Sequence, residues 1–323
     1  MKHLRLAGMA LAFAAAAATT TASLAADKLP VVASFSILGD VVSEVGGDRV
    51  AVKTIVGPDG DAHVYQPTPT DAATVTNAAV VFVNGVEFEG WIERLIKASG
   101  YKGPVVTATK GIKLLEADEH HDDAHGDKEH KTAKKKDADH HDHHHHGEHD
   151  PHAWQDVKNV IIYTANVKDG LCKVDAAGCE TYTQNAAAYT KKLEALDGEV
   201  RKLLEGIAKD KRTIITSHDA FGYFSKAYGV TILAPQGLST ESEASAADVA
   251  KLIDQIRKDG IRAVFVENVS DPRLIEQIAR ETGAKIGGKL FSDALSAATG
   301  PAGTYIKMMR HNASLMSAAM AGS

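Results

Sequence analysis

The chain alternates short, nearly continuous apolar runs with helical stretches, and this alternation restricts its fold more than any other feature. Four runs lie in the first half, at Pro30–Phe35, Val50–Val56, Val80–Val83 and Val105–Ala108. Four lie in the second half, at Thr213–Thr216, Val230–Leu233, Ala263–Glu267 and, more weakly, Ala284–Lys289. Such runs are typical of strands covered by helices on both faces. The sequence therefore predicts an α/β fold with two lobes, each built on a four-stranded parallel sheet flanked by helices.

A long amphipathic helix is predicted between the two lobes. Apolar residues recur there at alternating steps of four and three, at Tyr182, Ala186, Tyr189, Leu193, Leu196, Val200 and Leu203. These steps place one apolar face on a helix, which we expect to run from Thr181 to Ile207 and to join the lobes rigidly. The predicted organisation is an N-terminal lobe at 27–180, a linker helix at 181–207 and a C-terminal lobe at 208–323.

The first 26 residues differ in composition from the rest of the chain. Lys2 and Arg5 precede an alanine-dominated apolar run, and Ser23-Leu24-Ala25 offers small residues for cleavage. This pattern predicts a secretory signal peptide at 1–26, cleaved near Ala25 or Ala26. No cysteine precedes Cys172, so no lipidation site is expected at the junction. The expected location is a bacterial periplasm.

Residues 118–149 form a His-rich insert with 11 histidines and no aromatic residue. Because such a composition cannot offset the entropic cost of ordering, we predict a disordered loop. The segment from Asp118 to Asp150 carries 11 acids and 5 bases, and the rest of the chain carries 31 of each. No basic surface is implied, so nucleic acid is not an expected partner. The insert's candidate weak metal donors are His140, His141, His143, His144, His145, His146 and His149.

The sequence has two cysteines, Cys172 and Cys179, separated by a short segment. In an oxidising compartment a disulfide between them is expected. A thiolate metal site is the alternative, but two cysteines supply only half of the four ligands that such a site needs.

Three histidines outside the insert lie in loops of the predicted sheets. His63 lies in GPDGDAHVYQPTPTD, His152 in DPHAWQD after the insert, and His218 in TSHDAFGYF directly after a strand. Asp293, in KLFSDALS, follows the last predicted strand. Ligands of open α/β sheets bind beyond the carboxyl ends of the strands, so these side chains are expected to meet there if the lobes face each other. Three imidazoles and one carboxylate suit tetrahedral zinc.

Five motifs together resemble a known family. GPDGDAHVYQPTP, DPHAWQD, TSHDAFGYFSKAYG, VFVENVSDPRLIEQIARETG and LFSDAL look like the successive signatures of the cluster A-I (cluster 9) metal-binding substrate-binding proteins of bacterial ABC importers. TYTQNAAAYTKKLEALDGEV resembles that family's bridging helix. The likeness is closest to the zinc branch, of the ZnuA and AztC type. It implies that His63, His152, His218 and Asp293 are the metal ligands.

The resemblance implies a monomeric periplasmic protein that captures Zn²⁺ and delivers it to an ABC permease with its cytoplasmic ATPase. A periplasmic zinc chaperone is a further candidate partner, and the insert either concentrates zinc near the site or is a linker without a role. Manganese members of the family typically carry a glutamate where this chain has His218, which favours zinc.

Two alternatives stay open at this stage. One is a manganese- or iron-binding member of the same family. The other is a secreted zinc hydrolase that uses the three histidines. A catalytic zinc needs an open coordination position. Asp293 would close that position, so no enzymatic activity is expected.

Overall fold

The computed structural model describes residues 27–117 and 148–322. The predicted signal peptide and insert residues 118–147, which include His140, His141 and His143 to His146, lie outside the described residues. Within the described ranges, no helix is both long enough and apolar enough to cross a membrane.

The N-terminal lobe is a parallel sheet with helices on both faces. Its elements are β1 (Leu29–Phe35), α1 (Ser36–Gly46), β2 (Val50–Val56), α2 (Pro69–Thr76), β3 (Val80–Val83), α3 (Ile92–Ser99), β4 (Val105–Thr107) and α4 (Val157–Val174). The strand order is β2-β1-β3-β4, and Val31 of β1 pairs with Val52 of β2 and Val80 of β3. Because β1 is central, its residues from Val31 to Phe35 are buried, as its continuous apolar run predicts.

The linker helix, α5, spans Cys179–Glu205 and therefore begins and ends two residues earlier than the predicted 181–207. It packs against α1 and α4 of the first lobe. The prediction that Leu203 lies on its buried face is wrong: Leu203 is 40% exposed, and Leu204 is buried instead. At 3.6 residues per turn, Leu203 lies about 60° from the direction of Val200, whereas Leu204 lies about 40° from it.

The C-terminal lobe repeats the architecture of the first. Its elements are β5 (Thr213–Ile215), α6 (Gly222–Tyr228), β6 (Thr231–Leu233), α7 (Ala246–Asp259), β7 (Ala263–Glu267), α8 (Arg273–Thr282), β8 (Lys285–Leu290) and α9 (Tyr305–Ala321). The strand order is β6-β5-β7-β8, again all parallel. Helix α9 returns to pack on α5. The predicted fold class, two four-stranded parallel lobes joined by one long helix, is confirmed.

One hydrophobic core runs from the first lobe through the linker into the second. It includes Phe35 of β1, Tyr163 of α4, Leu193 of α5 and Met308 of α9. A separate cluster between the second sheet and helices α7 and α8 includes Ile253. Since the apolar packing is continuous across the lobes, their relative position is fixed by buried surface as well as by the linker.

The two cysteines are bonded to each other, and the Cys172–Cys179 disulfide joins the end of α4 to the start of α5. The expected disulfide is therefore present, and the alternative of a thiolate metal site is wrong.

The two ends of the insert are held together by backbone pairing. Glu116 and His149 form an antiparallel bridge, and the N–H of Ala117 donates to the carbonyl of Glu148 at 3.0 Å. Glu148 and His149, the last two residues of the predicted insert, are thus paired with the segment that precedes it. Among the residues that the structure describes, none forms a hydrogen bond with the buried Nδ1 of His149, a predicted weak donor.

Candidate metal centre

Four side chains from four separate segments meet where the lobes face each other. His63 lies in the loop between β2 and α2, His152 precedes α4, His218 follows β5, and Asp293 follows β8. One ligand atom from each lies within 4.8 Å of the others. The convergence predicted from the strand ends is therefore present, with two residues contributed by each lobe.

The spacing of these atoms matches that of the ligand atoms around a single metal ion. His63 Nε2 lies 3.3 Å from His152 Nε2 and 3.3 Å from Asp293 Oδ2. Asp293 Oδ2 lies 3.1 Å from His218 Nε2, and its Oδ1 lies 3.6 Å from His152 Nε2. Two ligands of a tetrahedral zinc ion, each bonded at 2.0–2.1 Å, would be about 3.3 Å apart. All three histidines thus present Nε2 toward one point.

The cluster is shielded from water. The side chains of His152, His218 and Asp293 are fully buried, and only His63 retains some exposure, at 5%. The cluster therefore opens to solvent past His63. Burial without a counter-ion is costly for a charged group, so a buried carboxylate among three imidazoles indicates that a cation is the intended occupant.

The pKa values follow from burial and from the charges inside the cluster. Burial lowers the pKa of His63 below its usual value. Burial also acts to lower the pKa of His218, but the carboxylates of Glu267 and Asp293 together raise it well above 6.5. Burial acts to raise the pKa of Asp293, but His218, His152 and the hydrogen bonds from the cluster hold it well below 3.8. The charges inside the cluster therefore favour the ionised form of Asp293 and the protonated form of His218.

A second layer of carboxylates orients the histidines. Asp150 Oδ1 accepts the backbone N–H of His152 at 2.9 Å and lies 2.8 Å from its ring Nδ1. Glu267, the last residue of β7, places Oε2 2.6 Å from His218 Nδ1, and its Oε1 accepts the backbone N–H groups of Ser217 and His218. A carboxylate on Nδ1 fixes the ring and leaves Nε2 free as the ligand atom.

The backbone N–H of His63, like that of His152, is held by an aspartate two residues earlier in the chain. Asp61 Oδ1 accepts the backbone N–H of His63 at 2.9 Å, and Thr240 of the second lobe donates to Asp61 Oδ2 at 2.6 Å. Asp61-Ala62-His63 and Asp150-Pro151-His152 share the spacing Asp-x-His. In both, the aspartate side chain closes a turn onto its own backbone two residues on, which fixes the histidine that follows.

Aromatic rings pack against the histidine cluster on its first-lobe side. The ring of Phe88 lies 4.9 Å from that of His63 and 4.7 Å from that of Trp154, measured between centroids. The turn before it is strained, since Val86 and Glu87 have φ angles of 55° and 58°, a region that β-branched residues rarely adopt. Buried Glu89 holds this turn by accepting the backbone N–H groups of Asn84 and Gly85. The strain thus places Phe88 against the histidines.

The sequence interpretation found the four clustered residues and missed those that support them. Asp150 and Asp61 carried a recognisable signal, the repeated Asp-x-His spacing. Glu267 carried a weaker one, as a carboxylate that ends an apolar strand. Phe88 carried none, because its position depends on the strained turn.

Comparison with known proteins assigns the chain to a family. Residues 31–319 match the family model described as "Zinc-uptake complex component A periplasmic". The manganese-binding lipoprotein MntA of Halalkalibacterium halodurans is 32% identical over 286 residues, 88% of this chain and 86% of the relative. The iron-binding protein YfeA of Yersinia pestis is 32% identical over 295 residues, 91% of this chain and 87% of the relative.

Solved structures show the same likeness. The periplasmic zinc-binding protein TroA of Treponema pallidum superposes with a TM-score of 0.79 at 30% identity, covering 91% of this chain and 99% of that one. A manganese-bound periplasmic metal-binding protein of Candidatus Liberibacter asiaticus superposes with a TM-score of 0.74 at 28% identity, covering 90% of this chain and 98% of that one.

Proteins of this family bind a solute for an ABC permease and its ATPase and catalyse no reaction, so the alternative of a secreted zinc hydrolase is wrong. Three observations support the same family assignment: the two-lobed fold, the cluster of three histidines and one aspartate, and the match over residues 31–319. The chain belongs to the ZnuA family, the exported metal-binding substrate-binding proteins of ABC importers.

Proposed function

We propose that this protein captures Zn²⁺ between its lobes and delivers it to an ABC permease. His63, His152, His218 and Asp293 are the ligands, two from each lobe. The observation that carries the proposal is the inward convergence of three Nε2 atoms and one carboxylate at distances of 3.1–3.6 Å. Because the ligands belong to both lobes, a bound metal would tie the two lobes together.

The donor set supports zinc as the cargo. Three neutral imidazoles and one carboxylate form a nitrogen-rich site, whereas manganese favours oxygen ligands. The carboxylates of Asp150 and Glu267 lie behind two of the rings and add negative charge around the cation. This charge favours a divalent cation in a site that excludes water.

Manganese or iron is the second candidate cargo. It is supported by the relatives named as manganese-binding and iron-binding, which are 32% identical to this chain. The zinc-binding protein TroA is 30% identical, so sequence identity does not separate the metals. The ligand chemistry at His218 favours zinc over both.

Competition for metal between the protein and a chelator tests the proposal. Metal-free protein is titrated with Zn²⁺, Mn²⁺ and Fe²⁺ in the presence of a chelator of known affinity. Zinc should bind at least about a hundredfold more tightly than manganese, as nitrogen-rich sites do. His63→Ala and His218→Ala should each weaken zinc binding strongly, because each removes a ligand from a different lobe. Variants that bind zinc as tightly as the wild type would refute the ligand assignment.

The matched control is His311→Gln. His311 lies on α9, where its Nε2 contacts the carbonyl of Lys289, and glutamine keeps a donor for that carbonyl. This control removes an imidazole outside the cluster and should leave zinc affinity unchanged. Equal loss in the control would mean that general destabilisation, not loss of a ligand, weakens binding.

The remaining assignments are proposals that accompany this one. We assign export to the periplasm with cleavage near Ala25 or Ala26, a monomeric state, and lobes at 27–180 and 208–323 on either side of the linker helix. His140, His141, His143 to His146 and His149 are assigned as weak accessory donors. A periplasmic zinc chaperone is a further proposed partner.

A further inference from the structure

One backbone carbonyl in the second lobe is held by two side chains of the first. The oxygen of Ser292 accepts a hydrogen bond from Trp154 Nε1 at 2.8 Å and another from Gln155 Nε2 at 2.8 Å. All three residues are fully buried. Both donors therefore cross the lobe boundary and converge on one acceptor without competition from water.

The partners of this contact lie next to the metal ligands in sequence. Trp154 and Gln155 follow His152 in a short 3₁₀ turn, Ala153–Gln155, and Ser292 immediately precedes Asp293. A return contact completes the junction, because Tyr305 Oη at the start of α9 donates to the backbone carbonyl of Trp154 at 2.7 Å. The two loops that carry a ligand from each lobe are thus bonded directly to each other.

We propose that Trp154 and Gln155 are positioning residues that hold Asp293 in place through Ser292 and so slow the release of the bound metal. This inference rests on the proposed function. The peptide of Ser292 is anchored on its carbonyl side, and the Asp293 carboxylate that follows reaches the histidines at 3.1–3.6 Å. Withdrawing Asp293 from the metal would displace the Ser292 peptide and so strain both hydrogen bonds.

The two donors should act redundantly. When one is removed, the other still satisfies the buried carbonyl, so the loss is that of one ordinary hydrogen bond. When both are removed, the carbonyl is left buried without a partner, which costs more than two ordinary bonds. The effect of the double substitution on metal release should therefore exceed the product of the two single effects.

The variants are chosen to remove the donors and keep the packing. Trp154→Phe removes the indole N–H and leaves an aromatic ring beside Phe35 and Phe88, which lie 5.0 Å and 4.7 Å from Trp154 between centroids. Gln155→Met keeps the side-chain length and removes the amide. Tyr101→Phe is the control, because it deletes a part-buried hydroxyl that donates to the backbone carbonyl of Pro104 at 3.0 Å, between α3 and β4.

The measurement is the rate of zinc release. Protein of residues 27–323, loaded with one equivalent of Zn²⁺, is mixed with excess chelator in a stopped-flow instrument. We expect about threefold faster release for each single variant and about 30-fold for the double variant, with little change in the association rate. Tyr101→Phe should release zinc at the wild-type rate. Melting temperatures and circular dichroism establish that each variant is folded.

A second background separates positioning of Asp293 from general loosening. In Asp293→Ala protein there is no carboxylate to position, so the double substitution should change zinc release by less than about twofold. An equal acceleration in both backgrounds would overturn the proposal. If the double variant does not fold, Gln155→Met alone provides the test. About threefold faster zinc release with Asp293 present, and no acceleration in Asp293→Ala, supports the proposal, whereas equal acceleration in both overturns it.

Failure of this inference is distinguishable from failure of the proposed function. If wild-type protein holds no zinc, the proposed function is wrong and this inference falls with it. If wild-type protein holds zinc tightly and the folded double variant releases it at the wild-type rate, only the positioning role of Trp154 and Gln155 is wrong.

Discussion

The ring Nδ1 of His218 lies 2.6 Å from Oε2 of Glu267, and both side chains are fully buried. On the opposite side of the ring, Nε2 lies 3.1 Å from Asp293. One imidazole is thus held between two carboxylates, Glu267 behind the ring at Nδ1 and Asp293 at the Nε2 that is the proposed ligand atom. The second carboxylate oxygen of Glu267 accepts the backbone N–H groups of Ser217 and His218, which fixes Glu267 to the loop that carries the ring.

Replacing Glu267 with glutamine should weaken zinc binding by about 10- to 100-fold, the usual effect of removing a carboxylate behind a ligating histidine. The charge that orients His218 is lost while the side-chain volume is kept. Equilibrium competition with a chelator measures the change. Glu276→Gln, an exposed position on α8, is the matched control and should bind zinc normally. Normal affinity in Glu267→Gln would show that the ring is oriented by packing alone.

Zinc binding should release protons near neutral pH. The flanking carboxylates raise the pKa of His218 well above 6.5, so metal-free protein holds a proton there that zinc must displace. Affinity should therefore rise with pH until the pKa of His218 is passed. Calorimetric titrations in two buffers of different ionisation enthalpy count the protons, and we expect about one at pH 7. Zero protons released at that pH would contradict the charge state assigned to His218.

The same proton affects the stability of the metal-free protein. Because the pKa of His218 is higher in the folded chain than its unfolded value of about 6.5, its stabilising contribution is complete below pH 6.5. The contribution is lost as the pH rises through the folded pKa. Zinc-loaded protein should lack this loss, since the metal replaces the proton on Nε2.

Local patterns in the sequence predicted the strands and the four clustered residues, because both depend on short-range signals. The continuous apolar runs predicted the strand positions, and the loop motifs that resemble a known family identified the four clustered residues. Contacts between distant segments had no such signal. The bond from Trp154 to Ser292 joins residues 138 positions apart. Leu203 and Leu204 both fit the apolar repeat of the linker helix, so the repeat alone does not show which of them is buried.

Replacing residues 118–147 with Asn-Gly should leave the tight zinc site intact. Ala117 and Glu148 are already paired across the base of the insert, and a two-residue Asn-Gly turn suits such an antiparallel pair. All four proposed ligands lie outside the deleted segment. Zinc stoichiometry should fall from several ions per chain to about one, with unchanged affinity for the tight site. Loss of that site would mean that the insert supplies one of its ligands.

Replacing both Cys172 and Cys179 with serine should lower the free energy of unfolding by about 2–3 kcal/mol, the chain-entropy value for a short loop. The bond joins α4 to α5, away from the ligand loops, so zinc affinity should change by less than about twofold. Denaturant unfolding of metal-free protein is the appropriate measurement, because bound zinc would add its own stabilisation. A large loss of zinc affinity would show that the α4–α5 junction controls the cluster.

The identity of the metal bound in the cell tests the central claim most directly. Protein carrying Asn-Gly in place of residues 118–147 is isolated from the periplasm of cells grown without added metal, and its metal content is measured by mass spectrometry. We predict about one zinc ion per chain, lost on substitution of His63 or His218 by alanine. Predominant manganese or iron in the wild-type cluster, or zinc that persists in both variants, would contradict the account.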